Sequence, residues 1–186
     1  MSDGDGSLPV SGRRVAALAG RRIAAWCVDW LVISGYAAAL IPLGLLLVGY
    51  SHRWSPLAAN AVALATLVVP AWLWMAAWER GPRAASPGKR LLRLRADAVQ
   101  RTALGWRRSL VRNGLKLAVP WELGHTAAFT LADVHASGPA TAIGLTGGLA
   151  ACLIGCGYLV SLFVGTGRTP YDLASGARVV AVPPRP

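Results

Sequence analysis

The chain has 186 residues, enough for one domain or one compact helical bundle. Hydrophobic residues make up 54% of it and charged residues 15%. That balance excludes an ordinary soluble domain and makes a bilayer the natural solvent. Nineteen Lys and Arg against eight Asp and Glu give a net charge of +11. The basic residues cluster between long apolar segments, which points to an anionic membrane face and not to nucleic acid.

Residues 1–20 hold Gly, Ser, Asp and Pro without an apolar run and read as a flexible cytoplasmic tail. A membrane domain is expected over residues 21–182, followed by a short tail, 183–186. The first span covers about residues 23–48, with Asp29 as its single charge. The second covers about 56–78 and has none. Each exceeds the ~20 residues needed to cross about 30 Å of hydrocarbon. A basic connector over 80–114 leads to a third span, about 115–132, which contains Pro120, Glu122 and His125. The fourth, about 140–164, is uncharged and rich in Gly. The predicted fold is therefore an all-α bundle of four transmembrane helices.

Orientation follows from the basic residues. Of the 19, 18 lie before the first span, between the second and third, or after the fourth, and only Arg53 falls in the other two connectors. Basic residues favour the cytoplasmic side. Both termini are thus expected inside, in a bacterial cytoplasmic membrane. Lys89, Arg90, Arg93, Arg95, Arg108, Arg112 and Lys116 are expected to contact headgroups of the anionic inner leaflet. Residues 92–98 alternate apolar and charged with period two, and 178–182 are β-branched. These two segments are expected to pair as a small cytoplasmic β element.

Within the fourth span, Gly144, Gly148, Cys152 and Cys156 are spaced by four and read as a helix-packing stripe. The three cysteines offer neither a disulfide framework nor a metal set.

The ionisable residues carry the functional signal. Arg22 and Asp29 are seven apart, on one helix face and about 10 Å apart along the axis, and Tyr36 continues the stripe. A cation at a helix N-terminus opposes the macrodipole and needs an anion. Asp172, returning to the inner surface after the fourth span, can supply it. Arg22 paired with Asp172, with Asp29 deeper in the hydrocarbon, would make a polar ladder. Glu122 and His125 share one face of the third span and, with Asp29 or Tyr36, could form a proton relay or a plain polar tie. Glu-x-x-His is also half of a di-iron pattern, but the carboxylates required on the other helices are missing, so no metal or other cofactor is expected. No nucleophile–base pair stands out, and no enzyme activity is expected.

Three motifs occur in order: Arg-Ile-Ala-Ala-Trp-Cys-Val-Asp (22–29), Ser-Pro-Gly-Lys-Arg-Leu-Leu-Arg-Leu-Arg (86–95) and Tyr-Asp-Leu-Ala-Ser-Gly-Ala-Arg-Val-Val (171–180). Over about residues 20–182 the chain resembles the RDD family of membrane proteins, named for one Arg and two Asp. The resemblance implies that Arg22, Asp29 and Asp172 are those residues. Ala177 stands where the family usually has Thr. For activity, the resemblance implies transport of a ligand or cation–proton exchange. In that reading Asp29 exchanges the ion, Arg22 tunes it and Asp172 orients Arg22. Four helices are few for a complete path, so a homo-oligomer or a larger membrane partner is expected. The rival reading is a non-transporting scaffold or assembly factor with a lipid- or protein-binding basic loop.

Overall fold

The computed structural model describes residues 10–51, 54–100, 102–133 and 137–183. Helix α1 covers Val10–Ala39 and α2 covers Ile41–Ser51. The break at Leu40 has a local cause. Pro42 lacks an N–H and clashes with the carbonyl four residues earlier. The Leu40 N–H closes a tighter turn onto Ala37 instead (3.0 Å). The tail expected over 1–20 is therefore already helical from Val10 onward, and residues 1–9 lie outside the described residues.

Helix α3 runs over Pro56–Arg80. Ser55 caps it by accepting the Ala58 N–H (3.2 Å), with Pro56 at the first helical position. Helix α4 is one short turn, Pro87–Leu91, and strand β1 follows at Leu94–Ala98. Residues 106–132 form the continuous helix α5. Helix α6 covers Pro139–Ser161, α7 Pro170–Ala174 and strand β2 Ala177–Ala181. The two strands pair antiparallel, with Ala96 opposite Val179.

Both α3 and α5 contain a π turn, Leu64–Val68 and Gly114–Ala118, just ahead of Pro70 and Pro120. A proline withholds its N–H from the preceding turn. In each helix a tyrosine fills the gap from outside. The Tyr36 hydroxyl donates to the Thr66 carbonyl (2.5 Å), and the Tyr158 hydroxyl donates to the Leu115 carbonyl (2.8 Å).

Among the described residues, three helical stretches are long and apolar enough to cross a membrane: Gly12–Leu46, Pro56–Arg80 and Pro139–Ser161. The segment expected as the third span, 115–132, is helical but is not one of these. It is continuous with the strongly basic turns at 106–113, and its apolar part is short. The 35 residues of Gly12–Leu46 extend over ~52 Å, against a hydrocarbon thickness of ~30 Å. The excess length has a partner in the fold. Ala25 packs with Leu94 and Val179 of the sheet, and Leu18 and Leu92 extend that cluster. Farther along α1, Ile33 packs with Ala71 and Met75 of α3 and Leu117 of α5.

The small-residue stripe on α6 holds only in its first half. A Cβ at Gly144 would meet the Leu131 side chain at 2.9 Å, and one at Gly148 would meet the Ala127 Cβ at 3.4 Å. These positions seat α6 on α5. Cys152 and Cys156, expected to continue the stripe, are exposed, because over that stretch it is Ala151 and Gly155 that turn inward, onto a cleft and not onto a packed helix.

Candidate functional site

A cluster of seven ionisable side chains is buried where α1, α3, α4, α5 and α7 meet. Asp172 stands in the first turn of α7, where its carboxylate also accepts the Thr169 N–H (3.3 Å). Arg22 Nη2 donates to Asp172 Oδ2 (2.6 Å) and Nη1 to the Gly167 carbonyl (2.6 Å). The other carboxylate oxygen, Oδ1, accepts Nε (2.9 Å) of Arg112 and lies 2.8 Å from its Nη2. Arg112 Nη1 then reaches Glu79, which also takes Lys89 and the Asn113 amide. Glu79 and Asp172 have no exposed surface and Arg112 is 1% exposed. The Arg112 guanidinium also lies over the Tyr171 ring, 5.4 Å from its centre.

Burial alone would raise the Asp172 carboxyl, but the Arg112 and Arg22 guanidiniums overcome it and hold the group at about 2. Burial pushes Lys89 down to about 8 despite the opposing pull of Glu79. Burial also opposes the Arg112 charge, yet Glu79 and Asp172 more than offset this and hold its pKa above the ordinary arginine value. At neutral pH Asp172 and Arg112 are ionised and Lys89 is mostly so.

Asp29 does not extend the Arg22–Asp172 pair as a ladder. Its Oδ2 accepts the Ser86 hydroxyl (2.7 Å) and its Oδ1 accepts the Gly88 N–H (2.8 Å). It thereby caps α4 from a different helix. The Lys116 ammonium stands 4.0 Å from Oδ2. Asp29 was expected among lipid chains, but residues 86–88 fold to its level and supply polar partners there.

Glu122, His125 and Tyr36 are not joined to Asp29 or to one another by hydrogen bonds. Glu122 accepts the Asn60 amide (2.6 Å), which also reaches the Thr126 hydroxyl (3.1 Å). His125 Nε2 accepts the Trp121 indole N–H (2.8 Å), and its ring stands between Trp121 and Phe129. Tyr36 serves the carbonyl freed by Pro70. Neither the relay nor the cross-helix tie to Asp29 or Tyr36 considered for these residues forms, and three separate local ties stand in their place.

The expected headgroup contacts divide in two. Lys89 and Arg112 are buried in the cluster and are corrected from lipid ligands to internal partners, whereas Lys116 is almost fully buried between Asp29 and the cleft described below. Arg90, Arg93, Arg95 and Arg108 are exposed. Arg90 lies 4.6 Å from the centre of the Trp78 ring, Arg95 pairs with Asp97 (2.9 Å), and Arg108 donates to Gln100 (3.1 Å). Glu79 escaped the sequence reading. One signal was available: a carboxylate in the last turn of a helix opposes the macrodipole and demands a cation.

Beside the cluster, a cleft of about 570 Å³ opens between α1, α5 and α6. Trp26, Trp30, Trp121, Gly124 and Gly155 form part of its walls. Arg22, Lys89, Arg112 and Lys116 line one end, and Asp29 is the sole carboxylate on its lining among the described residues. No group of three or more His, Cys, Asp or Glu able to hold a metal occurs among the described residues.

A family model described as the RDD family matches residues 16–176. No curated protein and no solved structure gives a match.

Proposed function

The chain belongs to the RDD family, and from that premise we propose that it is a small transporter or transport component that passes a proton or cation through Asp29. One observation carries this reading. Asp29 alone places a carboxylate on the cleft, and its Lys116 neighbour, at 4.0 Å, is too far away for a hydrogen bond. A cation entering the cleft would compete with Lys116 for that carboxylate. Arg22, Asp172, Arg112 and Glu79 would hold the inner mouth rigid around it.

The proposal includes a fourth crossing by residues 115–132 beside the three apolar stretches. Both termini would face the cytoplasm of a bacterial cell, across its inner membrane. Arg90, Arg93, Arg95 and Arg108 would meet the anionic leaflet. Four crossings are few for a complete path, so a second copy or a larger membrane partner would complete it.

The test is cation-driven proton flux in proteoliposomes, comparing wild type with Asp29→Asn of matched fold and abundance. Flux in the wild type that is lost in the variant supports the reading. Flux that survives the substitution overturns the role of Asp29. The scaffold reading has its own support. Arg112 ties α3 to α7 through Glu79 and Asp172, which is what holding cytoplasmic segments in place requires. No flux from a well-folded wild type would favour it.

A further inference from the structure

We propose that the cleft between α1, α5 and α6 is a seat for one anionic membrane lipid, with its phosphate on Lys116 and one acyl chain along the cleft. Three features of the structure argue for this occupant.

The first is length. Lys116 and His125 mark opposite ends of the cleft on α5, nine residues apart, which is ~13 Å along the helix. On α6 the lining runs from Ala151 to Leu159, or ~12 Å. Both values come close to half of a ~30 Å hydrocarbon core, the depth of a single leaflet.

The second is shape. Gly124 and Gly155 line the cleft, and a Cβ at either would touch nothing within 4 Å. Their open space, flanked by Trp26, Trp30 and Trp121, makes an apolar channel of chain width. The third is charge. In the cluster at the cationic end, Arg22, Lys89, Arg112 and Lys116 face three carboxylates, Asp29, Glu79 and Asp172. One of the four cations is held more loosely than the others. Arg22, Lys89 and Arg112 each donate to a carboxylate, whereas the Lys116 ammonium makes no hydrogen bond among the described residues. Its approach to Asp29, at 4.0 Å, leaves its donors free for a phosphate at the mouth of the cleft.

This inference does not depend on Asp29 carrying flux, because occupancy is measured directly. The full chain, purified in detergent, is titrated with phosphatidylglycerol or phosphatidylcholine of matched chains and read by native mass spectrometry. One phosphatidylglycerol is expected to be retained with about tenfold preference. Lys116→Gln should bring the two lipids to near parity. Gly155→Leu, a change the open space and the helix both accommodate, should reduce retention of both by blocking the chain. Should Lys116→Gln fail to fold, Gly155→Leu decides alone. Equal retention of the two lipids by wild type would overturn the proposal, as would wild-type binding by Gly155→Leu. So would displacement by millimolar inorganic phosphate, which would mark a free-anion site, or a lipid-free dimer closing the cleft.

Discussion

Gly88 lies so close to Ala25 that a Cβ at position 88 would fall 1.9 Å from the Ala25 carbonyl oxygen. That approach brings the Gly88 N–H to 2.8 Å from Asp29 Oδ1. The single carboxylate of α1 is thereby covered by a turn that arrives from between α3 and β1. In the sequence, Gly88 reads as a turn residue. In the fold it is where the α4 backbone meets the α1 backbone, and the Asp29 carboxyl is held there.

Gly88→Ala should therefore do more than stiffen a short helix. The methyl group would push α4 off α1, and the bond to Asp29 would be lost with it. Overpacking and a lost charge-assisted hydrogen bond together suggest a cost of about 3 kcal/mol. Thermal unfolding of the detergent-solubilised protein, followed by tryptophan fluorescence, should show a clear fall in Tm. An unchanged Tm would mean that α4 does not dock on α1 as described.

Arg112 gives a second expectation. Its guanidinium serves Asp172 and Glu79 at once, a two-sided geometry that a lysine ammonium cannot reproduce. Arg112→Ala leaves two buried carboxylates short of a cation, for which about 3–5 kcal/mol is a reasonable cost. Arg112→Lys should recover only part of this. Expression level and Tm for the two variants provide the check, and full rescue by lysine would contradict the bidentate role.

Much of this arrangement was legible in the sequence, for identifiable reasons. Arg22 and Asp172 could be matched because both were expected at the inner surface, although the macrodipole reason for Arg22 fails, since α1 begins at Val10 and Arg22 lies more than three turns inside it. The strand pair was visible in its period-two pattern and β-branched run. Arg112 and Lys116 were misread because spacing by four shows that two side chains share a face, but not what that face meets. Glu79 was hidden beside Arg80 at the end of a helix, where a charged pair reads as solvated surface. The cleft was not legible at all. Its lining comes from α1, α5 and α6, segments far apart in the sequence, and no local pattern shows how they face one another.

The acid response of the fold follows from Asp172. Its folded pKa, about 2, lies below the ordinary carboxyl value of 3.8. A group with a depressed folded pKa stabilises above its unfolded pKa and loses that contribution as pH falls through the folded one. Stability should be level with respect to this group above about pH 4 and decline toward pH 2, by on the order of 2 kcal/mol. Asp172→Asn should start lower at neutral pH and lose this part of the slope. Denaturation of both proteins across that window is the measurement, and parallel curves would rule out Asp172 as the source.

Glu122 offers the sharpest contrast between a proton carrier and a structural tie. It accepts the Asn60 amide through Oε1, while its Oε2 and the Asn60 Oδ1 are buried without hydrogen-bond partners. Glutamine at this position can keep the accepted bond and donate its own amide to Asn60 Oδ1, which satisfies an acceptor that the carboxylate leaves bare. Glu122→Gln should therefore keep or raise Tm, by up to about 1 kcal/mol in stability, and leave any proton flux at the wild-type level. Glu122→Leu leaves the Asn60 amide with the Thr126 hydroxyl alone and should cost about 1 kcal/mol. The opposite pattern, a stable Glu122→Gln protein with abolished flux, would return Glu122 to the proton path and require a route from it to Asp29 that the hydrogen bonds of this fold do not provide.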